Sequence, residues 1–132
     1  MPPESERLLE AGAIYVVEYA VRIDGSMPAK EWLESQTLKV QASFGVLFKR
    51  LCQDGRINNE EQFRRLHDHV WEFKRNGHRI LCYCSGRRYL LTHQIKKAGG
   101  RGKCPPSEIE RAETIGEEHI RIVTTENKKG KS

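Results

Sequence analysis

Residues 13–24, AIYVVEYAVRID, concentrate β-branched and aromatic side chains ahead of a turn signal at Asp24-Gly25-Ser26, which predicts a strand. Pro28 suits the first turn of a helix, and AKEWLESQ after it supplies good helix formers around Trp32 and Leu33. A short helix is expected there. From Leu38 to Gln53 the apolar residues Val40, Phe44, Leu47, Phe48 and Leu51 fall at i, i+4, i+7, i+8 and i+11, one stripe of a helix that Asp54-Gly55 stops. The two helices pair as a hairpin and need a sheet on which to bury their apolar faces.

That sheet follows. Residues 66–75, LHDHVWEFKR, read as a strand, and Asn76-Gly77 favours a type I′ hairpin turn because both residues accept positive φ. HRILCYC (78–84) returns antiparallel, Ser85-Gly86 turns again, and RRYLLTHQIKK (87–97) adds a further strand, completing a meander. The segment Ala98 to Lys103, AGGRGK, reads as a flexible basic loop that Pro105 and Pro106 end. Ser107 and Glu110 match the capping-box pattern, and Ile109, Ala112, Ile115 and Ile120 give a weak apolar face to an acidic helix. The expectation is an α+β domain over residues 1–122: an N-terminal strand, a helical hairpin, an antiparallel three-stranded meander and a C-terminal helix. One sheet face is left open to a partner, and a flexible polar basic tail is expected over 123–132.

At 132 residues and 37% hydrophobic content the chain closes one modest core, so one domain is expected. No stretch approaches the roughly 18 to 20 apolar residues of a membrane span, and Met1 to Glu10 is polar and acidic. Neither a signal peptide nor an anchor is expected, and the location expected is cytoplasmic. The four cysteines are then reduced thiols, Cys82 and Cys84 being two apart on one strand. Their spacing, with Cys52 and Cys104 single, does not suit structural zinc, and AGGRGK does not precede a helix as a phosphate loop would. No metal and no cofactor are expected.

Charge sharpens the picture through its distribution. Between Arg64 and Lys103 stand eleven Lys or Arg against two acids, a local balance of +9 in a chain of net charge +5, so the flanks carry −4. A basic segment between acidic flanks suits a polyanion, because Lys and Arg displace counterions from phosphates. The alternative is an ordinary solvated charged face.

The stretch from Leu66 to Glu113 resembles the core signature of HigB-like, phage-derived toxins in the RelE/ParE superfamily. Four pieces occur in family order: Val70-Trp71-Glu72-Phe73-Lys74, His78-Arg79-Ile80-Leu81, Leu90 to Lys97 with its Leu-Leu-x-His and Lys-Lys pair, and the Pro106 to Ala112 helix start. Three departures stand out: His78 in place of Tyr or Phe, a longer Gly99 to Lys103 loop, and no Tyr after Tyr89 to fill the C-terminal tyrosine role of some relatives. The resemblance implies a RelE-like fold and the toxin of a type II toxin-antitoxin pair. Such a toxin is a metal-independent endoribonuclease cutting mRNA on the ribosome, held inactive by a cognate antitoxin, expected to be a helix-turn-helix protein. Two other readings stay open: a non-enzymatic ParE-like inhibitor of DNA gyrase, and a plain nucleic-acid-binding module.

Metal-free cleavage by the RNA 2′-hydroxyl needs a base, cationic donors for the developing phosphate charge and an acid for the leaving 5′ oxygen. Arg79 is the candidate phosphate ligand, its planar fork being suited to two phosphate oxygens, with an ion pair to Glu72 across the hairpin as the structural alternative. Lys96 and Lys97 end the following strand and are candidate acid or base groups, since like-charged neighbours depress a lysine pKa; the alternative is two solvated lysines. His93 is a candidate by its intrinsic pKa, against the reading of a satisfied core or surface histidine. Lys74, Arg75, Arg87 and Arg88 beside the turns, with Arg101 and Lys103 in the glycine loop, are candidate RNA-binding residues.

Overall fold

The computed structural model describes residues 1–96 and 103–130. In chain order the elements are α1 (Glu4–Arg7), β1 (Leu8–Ala11), β2 (Val16–Tyr19), α2 (Pro28–Glu34), α3 (Leu38–Asp54), β3 (Phe63–His67), β4 (Val70–Arg75), β5 (His78–Ser85), β6 (Arg88–Lys96) and α4 (Pro106–Gly130). The α+β class expected from the pattern is what the chain adopts.

Local chemistry sets the boundaries. Pro28 opens α2. The Thr37 hydroxyl oxygen accepts from the Val40 N–H at 3.2 Å and caps α3, which Gly55 ends in the left-handed conformation at φ 80°. Asn76 and Gly77 both take positive φ, 52° and 77°, as the type I′ hairpin turn requires. The meander β4-β5-β6 is antiparallel throughout.

The sheet is larger than the pattern indicated. Six strands run in the order β1-β2-β6-β5-β4-β3, and β2 lies parallel to β6, which makes the sheet mixed. The segment 66–75, expected as one strand, is divided: β3 and β4 form their own hairpin, with Asp68 at φ 43° in the turn. β1 was not anticipated; it pairs with β2 as an edge strand. Gly12 follows it because a Cβ there would stand 2.5 Å from the Cys52 carbonyl carbon, where the end of α3 docks.

One sheet face carries α2 and α3. Phe44, Leu47, Phe48 and Leu51 of α3 bury against Val17, Phe73, Ile80 and Leu91, with Phe48 edge-on to Phe73 at 4.9 Å between ring centroids. The other face, expected to stay open, is crossed by α4 over β5 and β6. Ala112 packs there with Val70, Leu81 and Ile95, and Ile115 with Ala20 and Leu90. The helix comes close because Gly116 sits on Tyr83: a Cβ at that position would lie 2.3 Å from the Tyr83 Cγ. Two expectations for α4 are corrected. It begins at Pro106, which puts Ser107 inside the first turn rather than at the cap, and it runs on to Gly130 where a flexible tail was expected from 123.

Candidate functional site

Alternation along the strands sorts the candidate residues by face, because residues paired directly across a sheet point the same way. Arg64 faces Glu72, Glu72 faces Leu81, and Lys74 faces Arg79, which in turn faces Ile95. All lie on the face that α4 crosses. Here three cations surround one carboxylate. Arg64 Nε donates to Glu72 Oε1 at 2.7 Å, Lys74 Nζ stands 3.9 Å from the same oxygen, and Arg79 Nη1 is 3.8 Å from Oε2. Glu72 is wholly buried, and its Oε2 makes no hydrogen bond among the described residues. The cations differ in access: the side chains of Arg64 and Lys74 are 34% and 24% exposed, that of Arg79 only 8%.

The ion pair with Glu72 left open as the structural reading of Arg79 is therefore present. The cluster nonetheless keeps an excess of two positive charges, and two of its three cations reach solvent. Burial and the charges of Arg64 and Arg79 push the Lys74 pKa down, while Glu72 and Glu61 pull it back up. Cys104 lies close by in the apolar cluster with Leu81 and Ile95, its thiol pushed up to about 11, chiefly by burial. It is an inert packing group.

Other candidates are dispersed. His93 shares the face of Arg79 but lies beneath α4, 2% exposed, with Nε2 3.1 Å from Glu108 Oε2 and Nδ1 3.1 Å from the Thr92 hydroxyl. Burial lowers its pKa against the pull of Glu108. Lys96 is exposed and pairs with His78, in the row of Arg75, on the opposite face. Arg75 and Lys96 thus point away from Arg79. Arg87 donates to the Ile14 and Ala13 carbonyls, and Arg88 binds Glu18 at 2.8 Å. Arg88 pairs with Ser85, six residues along β5 from Arg79, about 20 Å at strand rise. Lys103 is exposed next to Cys104, while Lys97 and Arg101 lie outside the described residues.

A second charged group occupies that far end. Glu18, buried, is approached by Arg7 at 3.5 Å, Arg88 at 2.8 Å and His119 Nε2 at 3.8 Å, and it lines a cavity of about 210 Å³ with Arg7, Arg88, His119, Val123 and Asn127. His119 Nδ1 accepts from the Val21 N–H at 2.9 Å, and Arg22 grips Glu118 at 2.7 Å. His119 and Glu118 tie α4 to the β2 segment, while Arg7 and Arg88 join α1 and β6 to β2 through Glu18, contacts that serve the packing of these elements.

Sequence pattern missed Arg64 as a site residue. Its signal was present: folding the chain back about Asp68 sets Arg64 against Glu72, but that turn lacks the glycine that marks the other hairpins. Among the described residues no three His, Cys, Asp or Glu side chains come together to hold a metal ion, and no helix is long and apolar enough to cross a membrane.

The fold and the cluster define a small α+β protein with one mixed sheet and a cationic patch built on its β3-β4-β5 end. The chain belongs to the phage-derived Gp49-like protein family, whose family model matches residues 31–117. That span takes in Arg64, Glu72, Lys74 and Arg79 and leaves out Arg7 and Glu18. Among curated proteins the sequence finds no match.

Proposed function

We propose that the protein is the toxin of a type II toxin-antitoxin pair, of the HigB-like branch of the RelE/ParE superfamily, and that it cuts mRNA on the ribosome. Membership of the Gp49-like family and the order of the four motifs on β4, β5, β6 and α4 support this reading. The observation that carries it is the gathering of Arg64, Lys74 and Arg79 around one carboxylate, with a positive excess turned to solvent.

In this reading the 2′-oxygen attacks phosphorus and the bond to the 5′ oxygen breaks. Arg64 and Arg79 donate to the phosphate oxygens as charge builds there. Lys74, whose pKa is depressed, exchanges the proton at one of the two reacting oxygens and solvent water exchanges the other, acid and base roles that had been expected of Lys96, Lys97 and His93. The patch is shallow, so the ribosome supplies the alignment of the message. A neighbouring antitoxin covers the patch until it is degraded.

The test is a translation extract given purified, antitoxin-free protein. Cuts within translated message are expected. Intact message from a folded sample contradicts the reading, and inhibition of gyrase supercoiling by that sample selects the ParE-like alternative instead.

A further inference from the structure

We propose that Glu72 is a positioning residue: its buried carboxylate gathers Arg64, Lys74 and Arg79 and sets their charge balance toward an RNA phosphate without touching the RNA. The proposal rests on the reading of this cluster as the phosphate site.

Glu72 has no exposed surface, so a substrate meets its cations and not the carboxylate itself. If the residue served only to staple β3, β4 and β5, an apolar side chain of similar volume would do as well, since a buried ion pair rarely outperforms good packing. Leu81 directly opposite shows that the surroundings accept one. An apolar residue would not hold three cations within 4 Å of one group. Nor would it leave a buried oxygen, Oε2, facing Arg79 at 3.8 Å without a hydrogen bond, a costly arrangement that packing alone does not explain. Among the described residues, Arg64 and Arg79 push the Lys74 pKa down and Glu72 and Glu61 pull it up. Glu72, 3.9 Å from Lys74, is thus the nearby carboxylate that offsets the two arginines there.

The experiment uses full-length protein, wild type and Glu72→Gln, Glu72→Asp and Arg64→Gln, each first checked for thermal unfolding. Lys74 is titrated by NMR with labelled lysine. Affinity is measured with a single-stranded RNA made uncleavable by one 2′-deoxy substitution, and kcat with the cleavable strand. In Glu72→Gln the Lys74 titration is expected to move down by about one unit. RNA affinity should hold or rise, because the site gains a charge, while kcat falls at least tenfold. Glu72→Asp, which keeps the charge, should titrate near wild type and recover part of kcat. An unmoved Lys74 overturns the proposal, as does loss of affinity and kcat together in step with unfolding, which marks a merely structural role. If wild type neither binds nor cuts RNA, the site reading fails, and the Lys74 shift alone decides whether Glu72 controls the cluster. Should Glu72→Gln not fold, Arg64→Gln replaces it: Oε1 is then left to Lys74, whose titration must move up, and a null or downward shift overturns the proposal.

Discussion

Lys74 and Arg79 face each other directly across β4 and β5, two cations in one cross-strand pair. Like charges so placed destabilise a sheet, and Glu72, within 4 Å of both, offsets the repulsion.

Arg79→Lys separates the charge of Arg79 from its shape. It keeps a cation near Glu72 and loses the planar fork, so stability should fall by less than about 1 kcal/mol while RNA cleavage falls about tenfold or more. Arg79→Ala leaves the buried carboxylate short of a partner and should cost about 1–3 kcal/mol as well as cleavage. Urea unfolding and a cleavage time course on the same preparations check both.

Gly116→Ala tests how α4 is seated. The added methyl meets the Tyr83 ring at 2.3 Å, so the helix must lift, at a cost of about 1–3 kcal/mol and several degrees of Tm. Trimming the ring with Tyr83→Ala in the same chain should return part of that loss relative to the sum of the single variants, as a double-mutant cycle would read.

Acid should weaken the fold in two stages. His93 has a lowered pKa in the fold, chiefly from burial, so the unfolded chain takes up its proton first. Its contribution is complete above an ordinary histidine value of about 6.5 and is lost as pH falls below that toward the folded value. Glu18 acts later. Burial alone would raise it, but hydrogen bonds and charges from His119 and Arg88 prevail and hold it at about 2. Its contribution is present above an ordinary carboxylate value of about 4.3 and disappears toward pH 2. Chemical denaturation at stepped pH should show both stages, with His93→Gln removing the first only.

Arg88→Ala should leave the first stage in place and move the second to higher pH, because the 2.8 Å contact that stabilises the Glu18 carboxylate is gone. Following the Glu18 carboxyl by NMR gives the direct reading: an upward shift is expected.

The pattern of apolar residues foretold α2, α3 and the β4-β5-β6 meander because each has a strong local cause: a proline at a helix start, a regular stripe from Val40 to Leu51, and Asn76-Gly77 at positive φ. β1 escaped because four residues that pair only with β2 carry no alternation of their own. β3 was merged with β4 because Asp68 turns the chain without a glycine. Within the cluster, Arg79 was singled out as a phosphate ligand and Lys74 as an RNA-binding residue, but their grouping with Arg64 was not foreseen. Whether Lys96 or Lys74 shares a face with Arg79 depends on register, and a bulge between Leu81 and Cys82 alters the pairing of β5 with β6 midway. The burial of His93 depends on where α4 lies, a long-range outcome that a weak apolar face did not announce.

The proposed functional site is the cluster on the β3-β4-β5 face. Its most direct test compares Lys74→Ala with Lys96→Ala for cleavage of translated message in one extract. Lys74→Ala should lose about a hundredfold or more of the rate while Lys96→Ala stays within a few fold of wild type. Full cleavage by a folded Lys74→Ala, with loss in Lys96→Ala, would place the chemistry on the other face and contradict the account.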